Sequence, residues 1–392
     1  MKRFLLIAGI LLLFAAEISR VYYIMPFPGS QKHQTISYAY WIGNNIVWIR
    51  IVLLLLIIIP FINSFKNGNK SGRIFLSLIA VFYAVIFFLF NFKFQADKMF
   101  YQPVNKIFTN AGTTVADSNK LVIGVVVNGE AKAFPLQVIG YHHQVRDTIG
   151  GKPLMITYCT VCRTGRVFIP AVKGKSETFR LVGMDHFNAM FEDATTKSWW
   201  QQATGVAVAG PLKGQALQEY PSRQLALRYW LMEYPNSTVL QPDTVFNERY
   251  KSLAGYDRGN VKDDLEKRDS ASWQFKSWVI GVDQRGSSKA YDWNELVSKK
   301  IIQDSLPGLP LLITIENDTA SFHVFDRTVE QKVLSFKKES GLLLDLPTGS
   351  VWNMEGKCVD GALKGAQLKH VQAYQEFWHS WHTFHPRTVR YQ

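Results

Sequence analysis

Three long apolar segments in the first 100 residues constrain the fold most strongly. The clearest, residues 74–92, runs for nineteen residues without a charged side chain. As an α-helix it would span about 28 Å, close to the hydrocarbon thickness of a bilayer. The other two segments cover residues 4–25 and 41–65. We therefore predict that residues 1–98 form a membrane anchor of three transmembrane helices, about 4–25, 41–65 and 74–92.

A few charged residues interrupt the first two apolar segments. Arg50 lies inside the second, where it must either reach the headgroup region or face protein. Glu17 and Arg20 lie three residues apart in the first segment, a spacing that lets them pair on one helical face.

The distribution of charge predicts the orientation of the anchor. The chain has 44 Lys and Arg against 31 Asp and Glu, and residues 1–100 alone hold ten against two. The excess positive charge therefore flanks membrane helices, which argues against a nucleic-acid partner. Basic residues before the first helix and in the 66–73 loop place both on the cytoplasmic side. We predict a multi-pass protein of the cell inner (plasma) membrane whose C-terminal domain is extracytoplasmic.

A secretory signal peptide is the alternative for the first segment, since Lys2 and Arg3 precede a short apolar run that ends near Ala15 and Ala16. Cleavage there would leave the C-terminal domain on the same side.

The part of the chain after the anchor contains an internal repeat. The segment Val122-Ile123-Gly124-Val125 recurs 157 residues later as Val279-Ile280-Gly281-Val282. The same offset relates Asp147, Gly151 and Pro153 to Asp304, Gly308 and Pro310. We predict a first repeat unit over 118–240, a polar linker over 241–276 and a second, degenerate unit over 277–391.

Each predicted repeat unit begins with strand patterns. Residues 121–127 are β-branched, and Asn128-Gly129 is typical of a tight hairpin turn into a second strand. Helices are expected only near the ends of the units, over 222–234 and 371–384. The fold class is predicted to be α+β: three N-terminal transmembrane helices followed by an internally duplicated, mainly antiparallel, β-rich extracytoplasmic domain.

Cys159 and Cys162 form a CxxC motif between two predicted strands, in a turn that we expect Gly165 to relax. Such a pair can bind a metal, exchange disulfides or be structurally inert. The repeat has Glu316 and Thr319 at the corresponding positions, so this chemistry is confined to the first unit. His142 is the candidate imidazole ligand beside the thiols, His143 its neighbour on the opposite face, and His186 a weaker candidate. Thiolate and imidazole ligands together suit copper or zinc.

The residues around this motif resemble an uncharacterised prokaryotic family, domain of unknown function 3179. The resemblance covers about residues 118–392. It rests on 140–147, where the family has Trp-His-Glu and this chain has Tyr141-His142-His143, on the Tyr-Cys-x-x-Cys run, and on 183–214. It implies an exported domain and favours His142 over His143. It also implies roles in a pocket or around the ligands for Asn188, Asp193, Trp200 and Gln202.

The leading hypothesis is a membrane-anchored extracytoplasmic domain that binds copper or zinc through Cys159, Cys162 and His142. Two alternatives stay open: a thiol–disulfide oxidoreductase with Cys159 and Cys162 as its catalytic residues, and a non-catalytic module that binds a protein partner outside the cytoplasm. The sequence carries no phosphate-binding loop, nucleophile elbow or HExxH motif that would name a reaction.

The charge pattern makes a testable prediction of topology. A reporter enzyme fused after Lys98 should be active outside the cytoplasm, and one fused after Asn69 should be active inside. Activity of the two fusions in the reverse compartments would contradict the proposed orientation.

Overall fold

The computed structural model describes residues 2–284 and 286–392. In it, the first part of the chain forms three apolar helices. These helices are α1 (Lys2–Tyr22), α2 (Ile36–Asn67) and α3 (Lys70–Phe88), and a π-helical turn, Leu89–Lys93, continues α3. All three are long and apolar enough to cross a membrane. The predicted helices are confirmed, although α2 begins earlier than expected. A short helix, α4 (Ala96–Met99), follows.

The next part of the chain consists of short strands with two one- to two-turn helices. The elements are β1 (Phe108–Asn110), β2 (Leu121–Val127), β3 (Glu130–Pro135), α5 (Leu136–His142), β4 (Gln144–Ile149), β5 (Lys152–Cys159), β6 (Thr164–Phe168), β7 (Ala171–Val172), β8 (Lys175–Ser176), β9 (Phe179–Asp185), β10 (Asn188–Asp193), β11 (Trp199–Gln201), β12 (Ala207–Ala209), β13 (Arg223–Ala226), α6 (Leu227–Glu233) and β14 (Thr238–Leu240).

A second series of similar elements ends the chain, after a connecting segment that contains α7 (Asn247–Lys251) and two 3-10 turns. The series is β15 (Trp278–Gln284), β16 (Ser287–Asp292), α8 (Trp293–Lys299), β17 (Ile301–Leu306), β18 (Leu309–Ile315), β19 (Phe322–Asp326), β20 (Thr328–Val329), β21 (Lys332–Val333), β22 (Phe336–Glu339), β23 (Leu342–Asp345), β24 (Val351–Trp352), β25 (Cys358–Asp360), β26 (Lys369–His370), β27 (Tyr374–Phe377), α9 (Trp378–Phe384) and β28 (Val389–Arg390).

These elements divide into two compact units. The anchor unit contains residues 2–101, Glu177–Gln201 and Val206–Ala216, so the four-stranded sheet β12-β11-β10-β9 belongs to it together with the long helices. The main unit contains Gln102–Ser176, Gln202–Gly205 and Leu217–Gln392. Its sheets include β1-β14-β3-β2-β13, β4-β5-β6, β27-β15-β16-β28, β17-β18-β19-β26 and β22-β23-β24-β25.

The strand pairing is mostly antiparallel. Among the pairings in the described residues, β14 with β3 and β16 with β28 are parallel. The predicted α+β fold, with apolar helices before a mainly antiparallel β-rich domain, is confirmed.

Local sequence explains the first hairpin of the main unit. Asn128 and Gly129 adopt φ angles of 49° and 84°, which are left-handed values that Asn and Gly tolerate. The turn sets a register in which Val122 pairs with Pro135. Both faces of β2 are covered, and six of its seven residues are buried. The predicted hairpin is therefore confirmed.

Two predictions about secondary structure are wrong in part. The predicted helices 222–234 and 371–384 each begin as strands, β13 and β27, because those residues pair with β2 and β15 respectively. Within these two ranges, only α6 and α9 are helical. The short helices α5 and α8 are not expected from the sequence.

The polar segment 241–276 is folded rather than a simple linker. It contains α7 and two 3-10 turns, and it buries Phe246, Tyr250, Leu253 and Tyr256.

Two glycines allow tryptophans to pack directly on the strands. A Cβ atom on Gly124 would lie 2.3 Å from the Trp230 ring, and one on Gly281 would lie 2.2 Å from the Trp381 ring. Both indoles are buried, so neither ring can move aside into solvent.

We predict that Gly124→Ala destabilises the protein by about 1–3 kcal/mol, because the added methyl overpacks the core. Urea unfolding of the full chain in detergent, followed by tryptophan fluorescence, measures this. Gly112→Ala is the matched control, since its Cβ would meet no atom within 4 Å. Equal midpoints for the two variants would contradict the close packing of Trp230 on β2.

Candidate functional site

The two cysteines of the CxxC motif lie at the end of a hairpin in the main unit. Strands β5 and β6 pair antiparallel, with Cys159 opposite Thr164 at the last rung, and residues 160–163 form the turn. The prediction that Gly165 relaxes this turn is wrong. Gly165 lies within β6, and the left-handed residue of the turn is Arg163, with φ of 56°. The two cysteines therefore lie at the last residue of β5 and within the four-residue turn that follows it.

The two sulfurs of the motif are together in the core. Cys159 and Cys162 are buried thiols with no exposed surface. Burial raises the pKa of Cys162 well above the usual thiol value, and its hydrogen bond with Cys159 and the Cys159 charge add to this shift. Ser380 and Lys276 act on the pKa of Cys162 in the opposite direction. The raised pKa favours the protonated thiol of Cys162.

Groups from distant parts of the main unit hold the carbonyls of the turn. The Tyr256 hydroxyl donates to Thr160 O at 2.7 Å, and the Phe377 amide donates to Cys162 O at 3.0 Å. Lys276 Nζ donates to Val161 O at 2.6 Å, and His379 Nε2 lies 3.2 Å from the same oxygen. The backbone of the turn is thus fixed by the connecting segment and by the second series of strands.

Lys276 places an ammonium group beside the thiols. The residue is only 6% exposed, and Nζ also donates to Leu265 O at 2.5 Å. Burial lowers the pKa of Lys276 to about 8, while the charges of Cys162 and Cys159 shift it upward. The site therefore keeps a cation in the core, close to two groups that become anions when they lose their protons.

Arg163 fastens the turn on its other flank. Its Nε donates to Gln375 Oε1 at 2.7 Å, and Nη1 and Nη2 donate to the carbonyls of Tyr256 and Asp257 at 3.1 and 3.2 Å. The guanidinium also lies 3.8 Å from the centre of the Trp278 ring. Since Arg163 is fully buried, these contacts replace its hydration.

A second buried network approaches Cys162 from helix α9. The Ser380 hydroxyl donates to Glu376 Oε2 at 2.9 Å and lies 3.4 Å from the Thr164 hydroxyl. Glu376 in turn accepts from Arg166 Nη2 at 2.7 Å, and both side chains are buried. A buried ion pair with additional hydrogen bonds fixes the orientation of the serine next to the thiol.

The two adjacent histidines lie near the same end of the main unit. His142 ends α5, and its Nε2 is 2.7 Å from the Tyr250 hydroxyl, with the ring against Tyr141 and Phe246. His143 has a left-handed φ of 62°, and its carbonyl accepts from the Tyr158 amide at 3.0 Å. Burial lowers the pKa of His143 to about 4. The contacts described for the His142 imidazole are thus with aromatic side chains of α5 and the connecting segment.

The other predicted residues divide between the two units. Gln202 is in the main unit, where Nε2 donates to Thr157 Oγ1 and Thr164 O, both at 3.0 Å, and braces the β5–β6 hairpin. His186, Asn188, Asp193 and Trp200 belong to the anchor unit. His186 pairs with Asp185 at 2.6 Å, and this hydrogen bond raises the pKa of His186. Asn188 is buried at the start of β10, opposite Asp185.

Asp193 organises a turn. Its carboxylate accepts from the Thr196 and Ser198 amides and from Trp200 Nε1, the last at 2.9 Å. The same arrangement occurs at Asp345, which accepts from Trp352 Nε1 at 3.0 Å and from the Thr348 amide. Hydrogen bonds from these donors lower the pKa of both carboxyls against the opposing effect of burial. Because the turn at Asp345 carries no CxxC motif, these bonds indicate a structural role for Asp193 and Trp200.

Several site residues went unpredicted from the sequence. Lys276, Ser380 and His379 lie more than 110 positions from the cysteines in the chain, and no local motif marks them. Cys358 is a buried thiol whose Sγ donates to Asp360 O at 3.3 Å.

Within residues 2–284 and 286–392, no group of three or more His, Cys, Asp and Glu side chains is arranged to hold a metal ion. The metal site with Cys159, Cys162 and His142 therefore stays a prediction.

His379 should make stability depend on pH. Burial and the Lys276 charge lower the pKa of His379 to about 3. An unfolded histidine titrates near pH 6.5, so between these values the unfolded state binds one more proton. The stability is fully present above pH 6.5 and is lost as the pH falls toward 3. His379→Gln should lower the slope of unfolding free energy against pH, between pH 4 and 6, by about 1.4 kcal/mol per unit.

Urea unfolding of the full chain in detergent at three pH values measures this slope. His382→Gln is the matched control, because it replaces an exposed imidazole on the same helix. A slope unchanged by His379→Gln would contradict the burial of a neutral imidazole against the CxxC turn.

Comparison with known proteins gives a family for the chain. No curated protein and no solved structure matches the sequence significantly. A family profile described as a protein of unknown function, DUF3179, matches residues 103–388, which is most of the chain and includes the whole CxxC hairpin. The protein is therefore a member of the DUF3179 family, with three long apolar helices preceding the family domain.

Proposed function

We propose that this chain is a membrane-anchored, extracytoplasmic protein that binds copper(I) through the thiolates of Cys159 and Cys162. The observation that carries the proposal is the burial of two hydrogen-bonded thiols in a rigid turn beside the ammonium group of Lys276. Soft thiolate ligands select copper(I) among the biological metals.

The geometry of the turn supports binding without rearrangement of the backbone. Hydrogen bonds from Tyr256, Lys276 and Phe377 fix the three carbonyls between Thr160 and Cys162. Ligands that are held in position by such contacts lose little conformational freedom when an ion arrives. The sulfurs are therefore preorganised for a common ligand.

The charge of the site favours a monovalent ion. Two thiolates and one copper(I) ion carry a net charge of −1, which the Lys276 ammonium neutralises. Zinc(II) with the same groups would leave a net positive charge in the core, and it takes four ligands in structural sites. Two thiolates are a complete ligand set for copper(I), so His142 is not required, although it remains the candidate for a third ligand.

Thiol–disulfide exchange is the second candidate function, and the contact between the two sulfurs favours it. In that case Cys159 and Cys162 give two electrons and two protons to a disulfide partner and become a disulfide. The raised pKa of Cys162 slows this exchange, since the thiolate is the attacking form, whereas a metal ion displaces the thiol proton when it binds.

The location is part of the proposal. Basic residues before α1 and between α2 and α3 support a cytoplasmic N-terminus, and an odd number of crossings would carry the family domain outside.

We also propose that residues 118–240 and 277–391 arose by duplication. Val122 opposite Pro135 and Val279 opposite Asp292 stand in the same register, and the Trp230–Gly124 packing has its counterpart in Trp381 and Gly281. In the second unit, Glu316 stands where the first has Cys159, and it pairs with His323 at 2.9 Å. Metal binding would then be a property of the first unit alone.

The test is anaerobic loading of the detergent-purified full chain with copper(I) in excess glutathione, followed by elemental analysis. We expect about one copper per chain for the parent and almost none for Cys159→Ser or Cys162→Ser. Apparent affinity should rise with pH, because both thiols must release protons. Lys276→Met should weaken binding by about tenfold or more, roughly 1.4 kcal/mol, through loss of the compensating charge.

Cys358→Ser is the matched control, since it removes a buried thiol outside the turn and should retain the copper of the parent. Equal copper in the Cys159→Ser and Cys358→Ser variants would overturn the proposal. Retention of zinc instead, with loss in His142→Ala, would favour a site with a third ligand. If neither copper nor zinc binds and Cys159 and Cys162 form a reversible disulfide in glutathione buffers, thiol–disulfide exchange becomes the favoured function.

A further inference from the structure

The helices of the anchor unit enclose a charged cluster. Arg50 Nε and Nη2 donate to the two oxygens of Glu17 at 2.6 and 2.8 Å, and Glu17 is completely buried. Glu17 and Arg20 were predicted as partners, but the carboxylate instead bonds across to α2. Arg50 thus faces protein, not solvent. Ionised groups among apolar helices are costly, so their presence marks a site with a function or a strict structural role.

The π-helical turn after α3 completes this cluster. Asn91 Oδ1 accepts from Arg50 Nη2 at 2.9 Å and also from Arg20 Nη1, while its amide donates to Phe87 O at 2.7 Å. One extra residue in a helical turn redirects side chains, and such turns are frequent at functional sites. Here it directs Asn91 between two guanidinium groups.

The cluster carries more positive than negative charge. Arg20 and Arg50 contribute two cations and Glu17 one anion, so a net charge of +1 remains among the described side chains of the cluster. Arg20 is two residues from the end of α1, and Asn91 is two residues from the end of the π turn. The surplus charge therefore lies where these two helices end, the depth at which lipid headgroups are found.

An apolar groove of about 320 Å³ begins at the same place. Tyr83 joins the two features, because its ring lines the groove and its hydroxyl donates to Glu17 Oε1 at 3.1 Å. The other lining residues come from all three helices: Ile10, Leu13, Phe14, Leu54, Ile57, Ile58, Phe61, Ile79 and Ala80. On each helix these residues lie between the charged cluster and the helix end that is on the same side as the α2–α3 loop. From Arg50 to Phe61 the groove would extend roughly 16 Å along α2.

We propose that the three helices bind one anionic phospholipid, with its phosphate at Arg20 and an acyl chain in the groove below Tyr83. A lipid with a net negative charge neutralises the cluster, whereas a zwitterionic lipid brings its own cation. Guanidinium groups suit phosphate because they donate two parallel hydrogen bonds. The site depends on the anchor lying in a bilayer and is independent of copper binding by the thiols.

The test uses the full chain in nanodiscs that contain equal amounts of phosphatidylglycerol and phosphatidylcholine, followed by release into detergent and native mass spectrometry. We expect one retained phosphatidylglycerol per chain, in at least fivefold excess over phosphatidylcholine. Arg20→Gln should abolish the preference. Ala80→Trp, which fills the groove at a position on the exposed surface of α3, should reduce retention of the whole lipid.

Lys66→Gln is the matched control, because it removes an exposed cation at the opposite end of α2 and should leave retention unchanged. Equal retention of the two lipids by the parent would overturn the proposal. Loss of lipid in Arg20→Gln but not in Ala80→Trp would show a headgroup contact alone and would contradict the acyl-chain groove. Copper loading of Arg20→Gln distinguishes failure of this site from failure of the thiol site, since it should equal that of the parent.

Discussion

The hydrogen bonds to the carbonyls of the CxxC turn are the interactions on which the site depends. A turn of four residues between two strands leaves its carbonyls without partners in the sheet, and a buried carbonyl without a partner is costly. Lys276, Tyr256 and Phe377 supply the donors, and all three come from residues beyond the first series of strands. The hairpin that carries Cys159 and Cys162 therefore needs the connecting segment and the second series to be stable in this conformation. These hydrogen bonds therefore link the hairpin to distant parts of the main unit.

The features that follow from local sequence were predictable, and those that follow from tertiary contact were not. An uncharged apolar run dictates a helix such as α3, and Asn128-Gly129 dictates a tight hairpin. The strand β13 was mistaken for helix because residues 223–226 have no strong local preference and become a strand through pairing with β2. The CxxC motif marked one half of the site. Lys276 and Ser380 reach it only through the packing of α9 and the connecting segment, which no pattern within a window of sequence contains.

The residues around the CxxC motif include some with a structural role. Asp193 and Trp200 share a hydrogen bond that reappears between Asp345 and Trp352, in a turn that carries no CxxC motif, so the bond indicates a requirement of the turn itself. Gln202 donates to the Thr157 hydroxyl and to the Thr164 carbonyl of the hairpin. A family resemblance alone does not separate such structural residues from those that touch a ligand. The proposed duplication would separate them, because a group that occurs in both units cannot account for a property of the first unit alone.

The buried cations of the main unit are compensated in different ways. Arg163 is surrounded by carbonyl acceptors and aromatic faces, and Arg166 by Glu376, so both are compensated in the folded protein as it stands. Lys276 also binds two carbonyls, and the charges of Cys162, Cys159, Glu266 and Asp269 act on its ammonium group. In the proposed copper complex, the ionised thiols would offset more of the cost of burying that ammonium group. Under the proposed function, a ligand that displaces the protons of the sulfurs gains stabilisation from Lys276 that a neutral ligand does not, and this difference would couple occupancy of the site to the stability of the fold.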